Sequence, residues 1–152
     1  MLFTKIALEV VDCGAEVLVS SAACGADLLA SSEAGNLRLR RRVVLPFEPE
    51  KFRTTSVTDR QGDWGRLYDK LLNEVEKSGD LLVIHANSEG TAYAEVNHEI
   101  LDQALSLGQQ LQDRTTAVLV WDGKPRGEGD LTEEFGVSAR NKGIPVVEVM
   151  TL

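Results

Sequence analysis

Hydrophobic positions in this chain follow two rhythms. Short uninterrupted apolar runs alternate with longer stretches in which apolar residues return every three or four positions. The first rhythm belongs to strands buried on both faces, the second to amphipathic helices. Apolar runs occupy Val17 to Val19, Val43 to Phe47 with Pro46 as its stop, Asp80 to His85, Thr115 to Trp121 and Ile144 to Val149. Helical spacing places Leu2, Phe3, Ile6, Ala7, Val10 and Val11 on one stripe over Leu2 to Asp12, with Gly14 at a C-cap position. A second helix opens near Asp27 and holds Leu28, Leu29 and Ala30. A third starts at an Asp63 cap, carries Trp64, Leu67, Leu71, Leu72 and Val75 on one face, and ends at Ser78 and Gly79. The fourth, Thr91 to Gln110, buries Tyr93, Val96, Ile100, Leu101, Ala104 and Leu105, and the fifth runs from Leu131 to about Lys142. Phe47 to Gly62 has no period and is rich in Thr, Ser and charge, so it reads as a long surface loop. Strands alternating with helices predict an α/β fold with a parallel sheet covered on both faces.

Length and composition narrow the class. At 152 residues with 43% apolar content, the chain has the size of one domain with a sizeable core. Sixteen Lys and Arg against 24 Asp and Glu give a net charge of −8, which argues against nucleic acid as a partner. Cys13 and Cys24 form neither a CxxC pair nor a Cys/His cluster, so the chain suggests no disulfide framework, no metal site and a cytoplasmic setting. No apolar run reaches the roughly 20 residues of a membrane helix, and the start does not read as a signal peptide.

In parallel sheets, ligands gather outside the carboxyl ends of strands. Three strand exits combine small residues with a helix start: Ser20 to Asp27, Ala86 to Glu95, and Trp121 to Thr132. Backbone N–H groups at helix starts are anion-binding geometry. Ser21 and Gly25 leave the first exit almost free of side-chain bulk. In the third exit Asp130 is a good N-cap with Glu133 three residues on, and Gly123, Gly127 and Gly129 permit close approach to a ligand. Trp121 either stacks on a base or packs, packing being the simpler role. Arg38, Arg40, Arg41 and Arg42 read as a solvated run beside the second strand, with a ligand phosphate as their other use. Cys24 reads as a small buried thiol, since no histidine pairs with it, and neither His85 nor His98 has neighbours at metal-ligand spacing. Tyr93 and Asn97, four apart on one helix face, both point toward the same cleft.

The ordered pair SSAACGADLLA and WDGKPRGEGDLTEEF, with a strand ending in LPF between them and GIPVVEV closing the chain, resembles the SLOG superfamily, which includes the LOG-like and DprA-like proteins. The resemblance covers Glu16 to Val149. It implies a three-layer Rossmann-like sheet that recognises a nucleotide or a nucleotide-derived ligand such as AMP or ADP-ribose, with no further cofactor. By position, Gly25, Ala26 and Asp27 match the family's first turn; Asp122, Gly123, Gly129, Asp130 and Thr132 match its second. Gly90, Thr91 and Glu95 in SEGTAYAE correspond to the PGGxGTxxE run of LOG-type phosphoribohydrolases. That run's paired glycines are absent here and its glutamate is displaced by one residue, which on a helix is about 100°. Family members open with a strand, whereas this chain begins against a helix. The expectation is therefore a sheet with its N-terminal strand missing, its gap closed by direct strand pairing or by a homodimer partner. A sensor or binding module is the leading functional reading. A nucleotide N-glycosidase or phosphoribohydrolase using Glu95, Asp122 or Asp130 is the alternative, and an interaction protein without a ligand site is the third.

Overall fold

The structure, a computed structural model, describes residues 14–124, 127 and 130–151. The helix expected over Leu2 to Asp12 and the candidate Gly129 lie outside these residues. Within them the chain is α/β. Its elements are β1 (Val17–Ser20), α1 (Ala26–Asn36), β2 (Arg40–Leu45), α2 (Pro49–Ser56), α3 (Trp64–Ser78), β3 (Leu81–Val83), α4 (Ala92–Leu111), β4 (Ala117–Trp121), α5 (Leu131–Asn141) and β5 (Val146–Met150).

Among the described residues all strand pairing is parallel, as expected of uninterrupted apolar runs. It falls into two sheets. One has the order β1, β2, β3, with Val17 opposite Arg40 and Val43 opposite Leu81. The other pairs β4 with β5, Ala117 opposite Val146. Helix α4 joins them. Its Val96 and Ile100 pack with Val44 of β2, while its Leu101 packs with Ala117, Ala139 and Ile144 on the two-stranded side. No described helix is long and apolar enough to cross a membrane.

Two expectations are corrected. The stretch from Phe47 to Gly62 is not all loop, because Pro49–Ser56 forms helix α2. Proline at the first helical position is preset for a helix start, and Phe52 and Ser56, four apart, both face the interior. Eight residues with one large apolar side chain carry too little periodicity to announce a helix; the core reveals it. Phe52 is fully buried and stacks on Tyr68 with ring centroids 6.1 Å apart, and the Tyr68 hydroxyl donates to the Pro49 carbonyl at 2.8 Å.

The second strand begins at Arg40 rather than Val43, so Arg40, Arg41 and Arg42 of the basic run lie inside the sheet. Its arginines are tolerated because they are paired. Arg40 donates to Asp80 through Nε at 3.0 Å and Nη2 at 2.9 Å. Arg42 reaches the same carboxylate from Nε and Nη2 at 3.2 and 3.1 Å and donates to Gln103 at 2.7 Å. Arg41 pairs with Glu74 and donates to the Ser31 carbonyl at 3.3 Å. These guanidinium groups are engaged at the amino end of β2, so the run holds the sheet to α3 and the start of β3 rather than a ligand phosphate. Asp63 sits at the N-cap of α3, but its side chain pairs with Arg66 and makes no capping hydrogen bond.

Candidate functional site

A cavity of about 480 Å³ lies between the two sheets, bounded by β1 on one side and β4 on the other. Its size is in the usual range of small-molecule pockets. It runs the length of the strands. At the amino end it is lined by Gly14, Glu16 and Thr115, and at the carboxyl end by Ser21, Ala26, Asp27, Tyr93, Asn97 and Thr132.

The carboxyl end brings together the predicted residues Ser21, Ala26, Asp27 and Thr132, which come from two exits about a hundred residues apart. The turn after β1 is built around Gly25, whose φ of 100° is open to glycine and strained for other residues. Its carbonyl accepts from the Leu29 N–H at 3.0 Å, the first turn of α1. Asp27 reaches back to accept from the Ala23 N–H at 3.3 Å. Burial pushes its carboxyl up to about 6, opposed only by that one hydrogen bond. Ser20 Oγ donates to the Ser21 carbonyl at 2.8 Å and lies 3.2 Å from Ser31 Oγ. Ser21 Oγ is buried and has no hydrogen-bond partner among the described residues. An unsatisfied buried hydroxyl is costly, and such groups mark places where a ligand or a water belongs.

On the third exit, Asp130 is the N-cap of α5, its side chain accepting from the Thr132 and Glu133 N–H groups at 2.9 and 3.1 Å. The chain from β4 to α5 therefore brings Thr132 to the cavity while its own cap takes up the helix donors. Asp122, Gly123 and Asp130 are not among the cavity's lining residues. Trp121 donates from its indole nitrogen to Glu148 on the neighbouring strand at 2.9 Å and serves the sheet.

The second exit is not gathered in as expected. Tyr93 and Asn97 do line the cavity, Tyr93 with its hydroxyl on Ser56 Oγ and Asn97 donating to the Leu131 carbonyl at 3.2 Å. Gly90, Thr91 and Glu95 do not. Glu95 accepts from Thr91 Oγ1 at 2.8 Å and from the Asn87 amide at 3.2 Å, which closes the start of α4. Residues Ala86 to Glu89 face a smaller hollow with Phe47, Lys51 and His85.

One electrostatic feature was missed at the level of single motifs. Each helix start offered as an anion seat already carries acidic side chains in its first turn: Asp27 in α1, Glu95 in α4, Glu133 and Glu134 in α5. Carboxylates there neutralise the positive end of the helix dipole and repel a phosphate. Cys24 is half-buried, and burial together with Asp59 raises its thiol pKa, the reverse of an activated nucleophile. Among the described residues no group of three His, Cys, Asp or Glu side chains could hold a metal ion.

Neither a family model, nor a curated protein, nor a solved structure matches this chain.

Proposed function

We propose that the carboxyl end of the inter-sheet cavity takes a nucleotide or nucleotide-derived ligand, and that the protein acts as a sensor or binding module in the cytoplasm. The observation that carries this reading is the unpartnered, buried Ser21 Oγ beside Asp27 at the mouth of the cavity. Asp27 at neutral pH is mostly ionised and accepts hydrogen bonds from hydroxyl groups, while it disfavours a phosphate at close range. The ribose and base are thus the groups read at this end, with the phosphates turned toward solvent. The resemblance of the GAD turn and the WDG-G-GD-T exit to the SLOG superfamily supports the same reading, as do the parallel strands alternating with helices. Glu95 is held within its own helix start, so the N-glycosidase alternative draws no support from its position.

Titration calorimetry with adenosine, AMP and ADP-ribose tests the proposal. The expected result is saturable heat with all three, adenosine falling within about tenfold of AMP, and loss of binding in Ser21→Val and Asp27→Ala. Silence with every ligand overturns it. Binding that survives both substitutions places the ligand elsewhere.

A further inference from the structure

Among the described residues the aromatic side chains lining the cavity are Tyr93 and Phe135, and their surroundings differ. Phe135 packs with Leu101 and Ala117 and also with Val96, so its ring belongs to the core between the sheets. Tyr93 stands at the carboxyl end, where it packs on the cluster that holds Phe52 and Tyr68 and also forms part of the cavity wall. Its hydroxyl is bonded to Ser56 Oγ, and Ser56 is the buried last residue of α2. The Ser56 carbonyl in turn accepts from the Cys24 N–H at 2.9 Å, so the turn that follows Ser21 and leads to Asp27 is fixed to the same residue as the Tyr93 ring. A half-buried ring, held at its tip and backed by packed side chains, is a preformed surface for a flat ligand.

One helical turn further along α4 lies Asn97, which lines the same end of the cavity. Residues four apart on a helix are neighbours, with Cβ atoms about 5–6 Å apart, so a base lying on Tyr93 has its edge within reach of Asn97. The Asn97 Nδ2 donates to the Leu131 carbonyl at 3.2 Å, at the start of α5. That bond fixes which end of the amide is nitrogen, since an oxygen in its place would confront the carbonyl oxygen. Oδ1 is left as an acceptor without a hydrogen-bond partner among the described residues, and Nδ2 keeps its second N–H. An acceptor beside a donor complements adenine, whose 6-amino group donates and whose ring nitrogens accept. A 6-oxopurine turns an acceptor toward Oδ1 instead. Turning the amide over to suit it breaks the bond to Leu131.

We propose that Tyr93 is the stacking surface for the ligand's base and that Asn97 reads its edge, so that the site selects a 6-aminopurine over a 6-oxopurine. The inference rests on the ligand reading above and deepens it. Ser21 and Asp27 meet the sugar, while the base lies across the cavity mouth against α4.

Titration calorimetry of the full chain with adenosine, purine riboside and inosine tests it. Adenosine is expected to bind about tenfold or more tightly than inosine, with purine riboside, which lacks the 6-amino group, between them. This comparison is made on the unsubstituted protein and so does not depend on any variant folding. In Asn97→Leu the three ligands are expected to fall within about threefold of one another. Tyr93→Leu is expected to weaken adenosine and inosine alike by about tenfold or more, and Tyr93→Phe, which keeps the ring, by much less. Equal binding of adenosine and inosine overturns the assignment, as does a preference that survives Asn97→Leu or adenosine binding indifferent to Tyr93→Leu. In each of those cases adenosine binding that is lost in Ser21→Val leaves the ligand reading standing. Silence with all three nucleosides overturns the ligand reading and this inference together.

Discussion

The Cys24 amide donates to the Ser56 carbonyl across 2.9 Å, fastening the end of α2 to the turn that leads out of β1. A helix that the sequence presents as loop thus holds one edge of the candidate ligand site. Its own anchor is Phe52, fully buried between Phe47 and Tyr68.

Phe52→Ala is expected to destabilise the protein by about 3–5 kcal/mol, the cost of an aromatic-sized hole in a packed core. Urea unfolding measures this. The same variant is expected to speed alkylation of Cys24, read at its own peptide by mass spectrometry, because α2 no longer holds the turn. A wild-type rate would show that α2 and the turn are independent.

Asp27 gives a pH dependence with a definite sign. Its folded pKa of about 6 lies above the ordinary 3.8, so folding binds a proton in that interval and stability falls as pH rises from 4 to 6. A shift of about two units corresponds to about 2–3 kcal/mol at neutral pH. Asp27→Asn keeps an acceptor for Ala23 and removes the charge, so it is expected to stabilise the protein at pH 7 by up to that amount and to flatten the slope. Urea midpoints at pH 4, 5, 6 and 7 decide it; parallel curves for the two proteins would refute the assignment.

Asp80 works in the opposite direction. Hydrogen bonds from Arg40 and Arg42 hold its carboxyl below the usual range, so its contribution is present above pH 4 and is lost as pH falls through the folded value. Asp80 is 4% exposed, and Asp80→Asn leaves two guanidinium groups without their anion. A loss of about 3 kcal/mol at pH 7 is expected, by urea unfolding.

Asp130→Ala is expected to cost about 1 kcal/mol through loss of the α5 cap, with adenosine binding reduced only as far as Thr132 shifts. A loss of binding far larger than the loss of stability would instead make Asp130 a ligand contact.

Much of the element order was legible in the sequence, for local reasons. Continuous apolar runs such as Val43 to Leu45 and Ala117 to Trp121 have one good home, a strand covered on both faces. The stripe of Val96, Ile100 and Leu101 recurs at a period only a helix satisfies. Asp130 could be read as a cap from its own position, and the Gly25 turn from its lack of bulk. The site was partly legible, since the residues leaving β1 and those entering α5 each announced a helix start.

Sequence by itself determined most of the described strands and helices, α2 excepted, their parallel sense, and the pairing of small turns with helix starts, because these follow from periodicity and steric allowance within a few residues. Tertiary structure alone decided that Ser21, Asp27 and Thr132 share one cavity while Gly90, Thr91 and Glu95 do not, that Arg40 and Arg42 converge on Asp80, and that β1 and β4 line the same cavity. Each of these depends on which distant segments pack together, and burial and hydrogen bonding between segments far apart in the chain leave no local signature.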